Sequence, residues 1–183
     1  MRRVPSDSRC WASLSSACLA GLLGVATVVC GTCLSPLSRA SAQSVTWLGG
    51  NGTWGQPDPV NWTATYGSGS TAIFSGSATG LVTITAGGVT PGQTNVTGGS
   101  YTFSGGPLGG LGGIAKSGAG TLTLTGSNSY SGTTSIAAGV LNIQHAFALG
   151  STAAGTIVSN SAALQIQGGI TVSGESLTLA GAG

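Results

Sequence analysis

The sequence predicts an all-β protein that folds as a parallel β-helix, a solenoid in which short strands stack coil upon coil. Glycine is frequent, with 34 in 183 residues, and after residue 42 apolar residues alternate with Thr, Ser, Asn or Gln at a period of two. The segment GTLTLTG at 120–126 returns in weaker form as GVLNIQ, AALQIQG and ESLTLAG, roughly every twenty residues. Such quasi-repetition is typical of a solenoid, because one coil cannot bury its own apolar face.

The N-terminal segment is typical of a cleavable secretory signal peptide. Three arginines near the N-terminus precede an apolar run at 17–29, and the small residues Ala, Ser and Ala follow at 40–42. This pattern predicts cleavage between Ala42 and Gln43. An uncleaved anchor is the alternative, since residues 10–30 are uncharged, but Ser, Gly and Thr dilute that run and favour cleavage.

Charge and cysteine are concentrated in the same N-terminal segment. All four cysteines lie within the first 33 residues. Cys30 and Cys33 have the C-x-x-C spacing of a metal or redox motif, but neither a second such pair nor a nearby His accompanies them. After residue 42 the charged residues are Asp58, Lys116 and Glu175. We therefore expect no nucleic-acid partner, because no basic surface exists to neutralise phosphates.

Ten short runs between Gly-, Ser- and Asn-rich turns are predicted as strands, and no segment after residue 42 favours a helix. The strands are TAIF (71–74), LVTIT (81–85), SYTF (100–103), TLTLT (121–125), TTSI (133–136), VLNIQ (140–144), GTIV (155–158), ALQIQ (163–167), ITVS (170–173) and SLTLA (176–180). An antiparallel sandwich is the competing all-β fold, but it calls for hairpin signals and outward charges.

The chain is predicted to divide into four segments. A signal peptide occupies 1–42, β-rich capping and first coils occupy 43–112, the strongest repeat occupies 113–150, and further coils occupy 151–183. The final coil ends without a capping element, which leaves open strand edges that natural proteins avoid. We therefore expect a truncated piece of a longer protein.

Within the coils, one set of alternate positions is predicted to form an apolar interior column. The other set, which holds Thr, Ser, Asn and Gln, is predicted to form ladders on the outer surface. Gly126, Gly132 and Gly139 are expected at corners where a positive φ or close coil contact excludes a side chain. Asn128 is expected to close a turn with its own amide. The column consists of Leu122, Leu124, Ile136, Leu141, Ile143, Leu164, Ile166, Ile170, Val172, Leu177 and Leu179.

The stretch 114–150 resembles the autotransporter-associated β-strand repeat, also called the passenger-associated transport repeat. The segments TWLGGNGTWGQPDPVNW (46–62), TAIFSG (71–76) and YTFSGG (101–106) are similar to the usual opening of exported bacterial proteins that carry this repeat. The repeat pattern maps onto Lys116, Gly118, Gly120, Thr121, Leu122, Leu124, Gly126, Asn128, Tyr130, Gly132, Thr134, Ile136, Gly139 and Leu141, and closes at Ala148-Leu149-Gly150.

This resemblance implies the passenger segment of a Gram-negative autotransporter-like protein. Such a passenger is exported by the general secretory route, folds as a right-handed β-helix outside the inner membrane, and ends at the cell surface, in the outer membrane or in the medium. The repeat is associated with passenger transport or folding and with no chemical activity. The implied partners are the remainder of the passenger and a translocator barrel outside this sequence.

The ionisable residues after residue 42 do not fit an active site. Enzymatic β-helices that act on polysaccharides need clustered acids or bases to protonate substrate or bind Ca²⁺. Several predicted coils separate Asp58 from Glu175, and His145 is the single candidate base. One His without Cys cannot make a metal site. We therefore expect that the chain is not an enzyme and binds no metal or cofactor. The alternative, a polysaccharide-degrading enzyme, would require active-site residues from sequence that is missing here.

Three tryptophans, Trp47, Trp54 and Trp62, form the most conspicuous binding candidate. They could make an aromatic platform for glycans, or they could cap the N-terminal end of the apolar column, which we favour. Lys116 is expected to be a solvated or turn-capping charge, and Tyr130 to stack on neighbouring coils. The leading hypothesis is a structural passenger segment that aids folding, transport and surface display, and the alternative is an adhesin-like module that binds glycans or cells.

Overall fold

The structure, a computed structural model, describes residues 43–180 and contains thirteen β-strands there. The predicted signal peptide lies outside the described residues, and of the cleavage pair only Gln43 lies within them, exposed and outside any strand. None of the described segments is a helix long and apolar enough to cross a membrane. The strands are β1 (Ser44–Thr46), β2 (Gly52–Trp54), β3 (Thr71–Phe74), β4 (Thr79–Ile84), β5 (Gln93–Val96), β6 (Ser100–Gly105), β7 (Ile114–Lys116), β8 (Thr121–Leu124), β9 (Thr134–Ile136), β10 (Gly139–Ile143), β11 (Thr156–Val158), β12 (Ala162–Ile166) and β13 (Leu177–Leu179).

The strands alternate between two parallel sheets. Odd-numbered strands form a seven-stranded sheet in the order β1-β3-β5-β7-β9-β11-β13, and even-numbered strands form a six-stranded sheet in the order β2-β4-β6-β8-β10-β12. Every strand pairs in parallel with the strand two places along the chain. The chain therefore winds as a parallel β-solenoid, which confirms the predicted class and rejects the antiparallel sandwich.

The strand register gives the length of a coil. In the odd-numbered sheet Thr94 pairs with Ile114, which pairs with Thr134, so successive coils are 20 residues apart. In the even-numbered sheet Leu122 pairs with Leu141, 19 residues further on. The repeat length of roughly twenty residues is confirmed beyond the first coil, in which Ser44 pairs with Thr71, 27 residues further on.

The third side of the coil has no continuous strand. A single parallel bridge joins Val89 to Leu108, and the amides of Ser129 and Ser151 donate to the carbonyls of Leu108 and Tyr130 over 2.8 Å each. Each full coil thus consists of two short strands and one irregular side, called the irregular corner below, whose backbone groups form hydrogen bonds with those of the next coil.

The predicted interior column is correct in the repeat and incomplete at the C-terminal end. Leu122, Leu124, Ile136, Leu141 and Ile143 are buried. The remaining column residues belong to the last coil, which no further described coil covers; they are half-buried or exposed, at 56% for Ile166 and 69% for Leu179.

Strand prediction was wrong for one predicted run and missed four of the observed strands. The run at 170–173 is not a strand, although Ile170 and Val172 still pack against the core, because it lies on the irregular side of the coil. Four observed strands, β1, β2, β5 and β7, were not predicted. They are three or four residues long, and β5 (QTNV) and β7 (IAK) carry amide or basic side chains.

Candidate functional site

The repeat segment forms β7 to β10, and its apolar positions pack into the solenoid interior. Leu122 and Leu124 in β8 lie in register with Leu141 and Ile143 in β10, and all four side chains are buried. Thr121 and Thr123 alternate with them and point outward, half-exposed. The regular part of the motif is therefore a structural ladder, as β-strand alternation requires.

Asn128 bonds three consecutive coils together at the irregular corner. Its Oδ1 accepts a hydrogen bond from the Leu108 amide over 2.9 Å, and its Nδ2 donates to the Ala148 carbonyl over 2.7 Å. Each partner is 20 residues away along the chain, and the Asn128 side chain is 8% exposed. The expectation of a turn closed by its own amide is wrong, because the side chain satisfies buried backbone groups of the coils on either side.

Lys116 is buried inside the solenoid and not solvated. Its side chain is fully inaccessible, since β7 turns Ile114 and Lys116 inward together. The Nζ donates to the carbonyl of Gly118 and, over 3.3 Å, to that of Ala138 in the next coil. Burial lowers the pKa of the Lys116 ammonium. The expectation that Lys116 caps a turn agrees with the structure, and the side chain caps turns in two successive coils.

The repeat glycines are required mainly by close contact between coils. Gly139 has φ +71°, and a Cβ there would lie 2.8 Å from the Nζ of Lys116. A Cβ on Gly132 would meet the amide nitrogen of Gly113 at 2.5 Å, and one on Gly118 or Gly120 would collide with the carbonyl of the preceding coil. Gly126 differs, because a Cβ there would make an ordinary contact of 3.4 Å.

Tyr130 belongs to a buried hydroxyl network. Its OH lies 2.7 Å from the Oγ1 of Thr134, and burial raises the pKa of the Tyr130 phenol. Thr134 is in register with Thr156 of the next coil, whose Oγ1 donates to Glu175 over 2.8 Å. Tyr130 also packs against the following coil, because a Cβ on Gly150 would lie 3.0 Å from its ring. The stacking role expected of Tyr130 agrees with this placement.

The three tryptophans form a buried N-terminal aromatic cluster. Trp54 is fully buried, and Trp47 and Trp62 are 3% exposed. The Trp54 ring lies 5.2 Å from Trp62 and 5.3 Å from Tyr66, both edge-on. No tryptophan of the cluster offers an exposed ring face to a sugar, so the glycan-platform interpretation fails on burial. The placement agrees with the cap.

Asp58 stabilises the loop that covers this cluster. Its Oδ1 accepts hydrogen bonds from the amides of Val60 over 3.0 Å and Asn61 over 3.2 Å, and its backbone pairs antiparallel with Tyr66. Burial alone would raise the pKa of the Asp58 carboxyl, but these hydrogen bonds hold it below its ordinary value. Asp58 therefore has a structural role at the start of the solenoid.

The candidate ionisable groups are not brought together. Asp58 lies between β2 and β3 at one end of the strand order, whereas Glu175 precedes β13 at the other. His145 follows β10, and its Nδ1 accepts a hydrogen bond from the Phe147 amide over 3.1 Å. Across residues 43–180 no three His, Cys, Asp or Glu side chains cluster in a way that could hold a metal ion.

Fold and motif together define a β-solenoid repeat protein, and comparison with known proteins identifies the repeat. Residues 114–143 match the model of the passenger-associated transport repeat family. The repeat predicted from the residues of the motif is therefore confirmed for residues 114–143. No solved structure matches the chain.

A curated relative is an autotransporter. The chain is similar to the adhesin BmaC autotransporter of Brucella suis biovar 1 (strain 1330), with 36% identity over 99 residues. The matched region covers 54% of this chain and spans 3% of the length of that relative. The similarity therefore concerns a short segment of a much longer protein.

Proposed function

We propose that this chain is a non-catalytic structural segment of an exported, autotransporter-like passenger. Its coils space and display other parts of the protein at the Gram-negative cell surface or outer membrane and aid their folding and transport. The passenger winds as a right-handed β-helix, follows a cleavable signal peptide, and has a translocator barrel as its partner. The family match and the autotransporter relative support this proposal.

The inward direction of the motif's polar residues is the observation that carries the structural role. Asn128 and Lys116 bond backbone groups of neighbouring coils, and such residues stabilise a stack without presenting chemistry to solvent. The three charged residues of the described part lie in separate coils. A solenoid built in this way supplies length and rigidity, because each coil contacts only its neighbours.

Surface display tests the role in folding and transport. The full chain, with an epitope after the signal peptide, is fused ahead of an autotransporter translocator barrel and expressed in Gram-negative cells. We expect protease added to intact cells to remove the epitope from the unmodified chain. Asn128→Ala, which loosens the stack, should lower the surface-exposed fraction severalfold, whereas the outward substitution Thr123→Ala should not. Equal display of both variants would contradict a role for the stack in transport.

An adhesin-like binding module is the second candidate function, because the autotransporter relative is named as an adhesin. The outer ladders of the even-numbered sheet present Thr, Ser and amide side chains, which are half-buried or exposed except for Asn142. Such groups donate and accept hydrogen bonds to sugar hydroxyls. A glycan array probed with the full chain tests this function, and retention on no glycan would remove it.

A further inference from the structure

Phe147 is the one Phe, Tyr or Trp residue among residues 43–180 whose side chain is exposed. The Trp, Tyr and remaining Phe side chains of residues 43–180 are all buried, whereas Phe147 is 63% exposed. Its backbone is nevertheless held firmly: the Phe147 amide donates to the Nδ1 of His145 over 3.1 Å, and its carbonyl accepts from the Asn128 amide over 2.9 Å. The backbone that carries the exposed ring is therefore bonded to the solenoid.

The two rings at this corner lie side by side. The centroids of His145 and Phe147 are 5.9 Å apart, with an angle of 45° between their planes. An exposed aromatic ring buries apolar area at low entropic cost, because only two side-chain torsions are immobilised. Such a ring suits the apolar C–H face of a pyranose.

An ordered cluster of amides begins at Asn142, three residues before His145. Asn142 donates to the Oε1 of Gln165 and of Gln167, each over 3.2 Å. Gln144 donates to the Oδ1 of Asn142 over 3.0 Å and to the Oε1 of Gln167 over 3.1 Å. These bonds hold the amides in place before any ligand arrives, which lowers the cost of binding.

The outermost amides keep hydrogen-bonding capacity. Gln144, Gln165 and Gln167 are exposed, and within the part of the chain that the structure describes the Nε2 groups of Gln165 and Gln167 donate no hydrogen bond. Each amide can donate two hydrogen bonds and accept two. The cluster can therefore meet the hydroxyl groups of a sugar with both donors and acceptors.

No formal charge lies in this cluster. Among residues 43–180, Lys116 is buried inside the solenoid, Asp58 lies in the loop after β2, and Glu175 bonds Thr156 before β13. A neutral ligand fits such a surface better than an anionic one, because no lysine or arginine lies in the cluster to offset the desolvation of a sulfate or carboxylate.

We propose that Phe147, His145 and the amides of Asn142, Gln144, Gln165 and Gln167 form a surface site for an uncharged carbohydrate chain. The Phe147 ring stacks on the C–H face of one sugar, and the Gln165 and Gln167 amides bond hydroxyl groups of the same chain. This inference rests on the binding-module candidate and not on the structural role, and it locates the binding surface away from the buried tryptophans.

Nuclear magnetic resonance of the ¹⁵N-labelled chain tests the site. The probes are the hexasaccharides of cellulose, chitin, starch and mannan, with a heparin hexasaccharide as the anionic comparison. We expect at least one neutral probe to shift the side-chain amide signals of Gln165 and Gln167, and heparin to leave them unchanged. Binding of heparin alone, or of no probe, would overturn the site.

Matched variants separate the site from binding elsewhere. Phe147→Ala should weaken binding of the responding neutral probe by up to about tenfold, as expected for loss of one aromatic contact. Phe147→Tyr should retain it. Leu111→Ala removes another exposed apolar side chain, 89% exposed, two coils earlier between β6 and β7, and should change nothing.

Gln165→Ala should weaken binding in the same assay, whereas Thr102→Ala, on the same outward row three coils away, should not. If a neutral probe binds but none of these substitutions affects it, the chain is a binding module and the proposed site is wrong. If no probe binds, both the site and the carbohydrate-binding function fail. The structural role is unaffected by either result, because it is measured by surface display.

Discussion

Asn128 and Lys116 bring polar atoms into the solenoid interior. Asn128 bonds backbone groups of the coils on either side of it, and Lys116 bonds carbonyl groups of its own coil and of the next one. Buried backbone groups must be paired, and the irregular corner of a solenoid lacks the strand ladder that would pair them. The side chains of the motif replace that ladder. At the scale of single residues, the polar residues of the motif therefore stabilise the corners of the solenoid by hydrogen bonds to the backbone.

Asn128→Ala is expected to destabilise the fold by about 2–4 kcal/mol, because it leaves a buried donor and a buried acceptor without partners. The measurement is urea unfolding of the full chain, followed by circular dichroism. Asn95→Ala is the control, since Asn95 lies half-buried in β5 and should cost less than about 1 kcal/mol. Equal losses in the two variants would show that Asn128 does not join coils.

Lys116 is expected to make stability depend on pH in the alkaline range. Burial lowers its pKa below the ordinary 10.5, so between the two values the unfolded chain binds more protons than the folded protein. The cost of burying the ammonium is complete below the folded pKa and disappears above 10.5. The contribution of Lys116 to the free energy of unfolding therefore rises with pH through that window.

The difference in unfolding free energy between wild type and Lys116→Met isolates this effect. Buried tyrosines with raised pKa values, such as Tyr66 and Tyr130, titrate equally in both proteins and cancel. We expect wild type to gain stability relative to the variant as the pH approaches 10.5 from below. A difference that does not change with pH would show that Lys116 is not desolvated.

At the scale of elements, the two ends of the solenoid are finished differently. The loop between β2 and β3 covers the first coil with Trp62 and Tyr66, which pack on Trp54. At the other end β12 and β13 each pair on one side only within the described residues. A large aromatic cluster closes an apolar column effectively, because each ring buries a large area.

Trp54→Ala should remove the centre of the N-terminal cluster and cost about 3–5 kcal/mol, as for other fully buried aromatic side chains. Thermal unfolding monitored by far-ultraviolet circular dichroism checks this value. Leu48→Ala, in the same segment but 63% exposed, is the control and should have little effect. A Trp54→Ala chain with unchanged stability that lost glycan retention would restore the binding interpretation of the tryptophans.

At the scale of the whole molecule, stability is expected to vary along the solenoid axis. A coil in the middle is held by two neighbours, whereas the last described coil has one and leaves Leu177 and Leu179 48% and 69% exposed. Solenoids distribute their stability as a sum of such nearest-neighbour contacts. Local opening should therefore begin at the coil that contains β12 and β13.

Hydrogen exchange measured by mass spectrometry tests this gradient. Amides of β6, β8 and β10 should exchange most slowly, and those of β12 and β13 fastest among the strands. The coil of β1 and β2 provides the comparison, since it is also terminal but is covered by aromatic rings and should be the better protected of the two ends. Uniform protection over all coils would show that the chain unfolds as one unit.

Much of the fold could be predicted because it is local. The alternation in TLTLT and VLNIQ and the spacing between them determine which residues point inward and how long a coil is, and both features agree with the structure. Strands such as β5 and β7 could not be predicted, because QTNV and IAK become strands only through pairing with neighbouring coils.

By itself, the sequence determined a parallel solenoid with coils of about twenty residues and a recognisable repeat, since period and spacing are properties of the chain. Only the tertiary structure decided the direction of its polar and aromatic side chains. Lys116 and Trp54 are buried, Phe147 is exposed, and Asn128 bonds neighbouring coils. The physical reason is that the burial of a side chain in a solenoid depends on the coils above and below, which a single stretch of sequence does not contain.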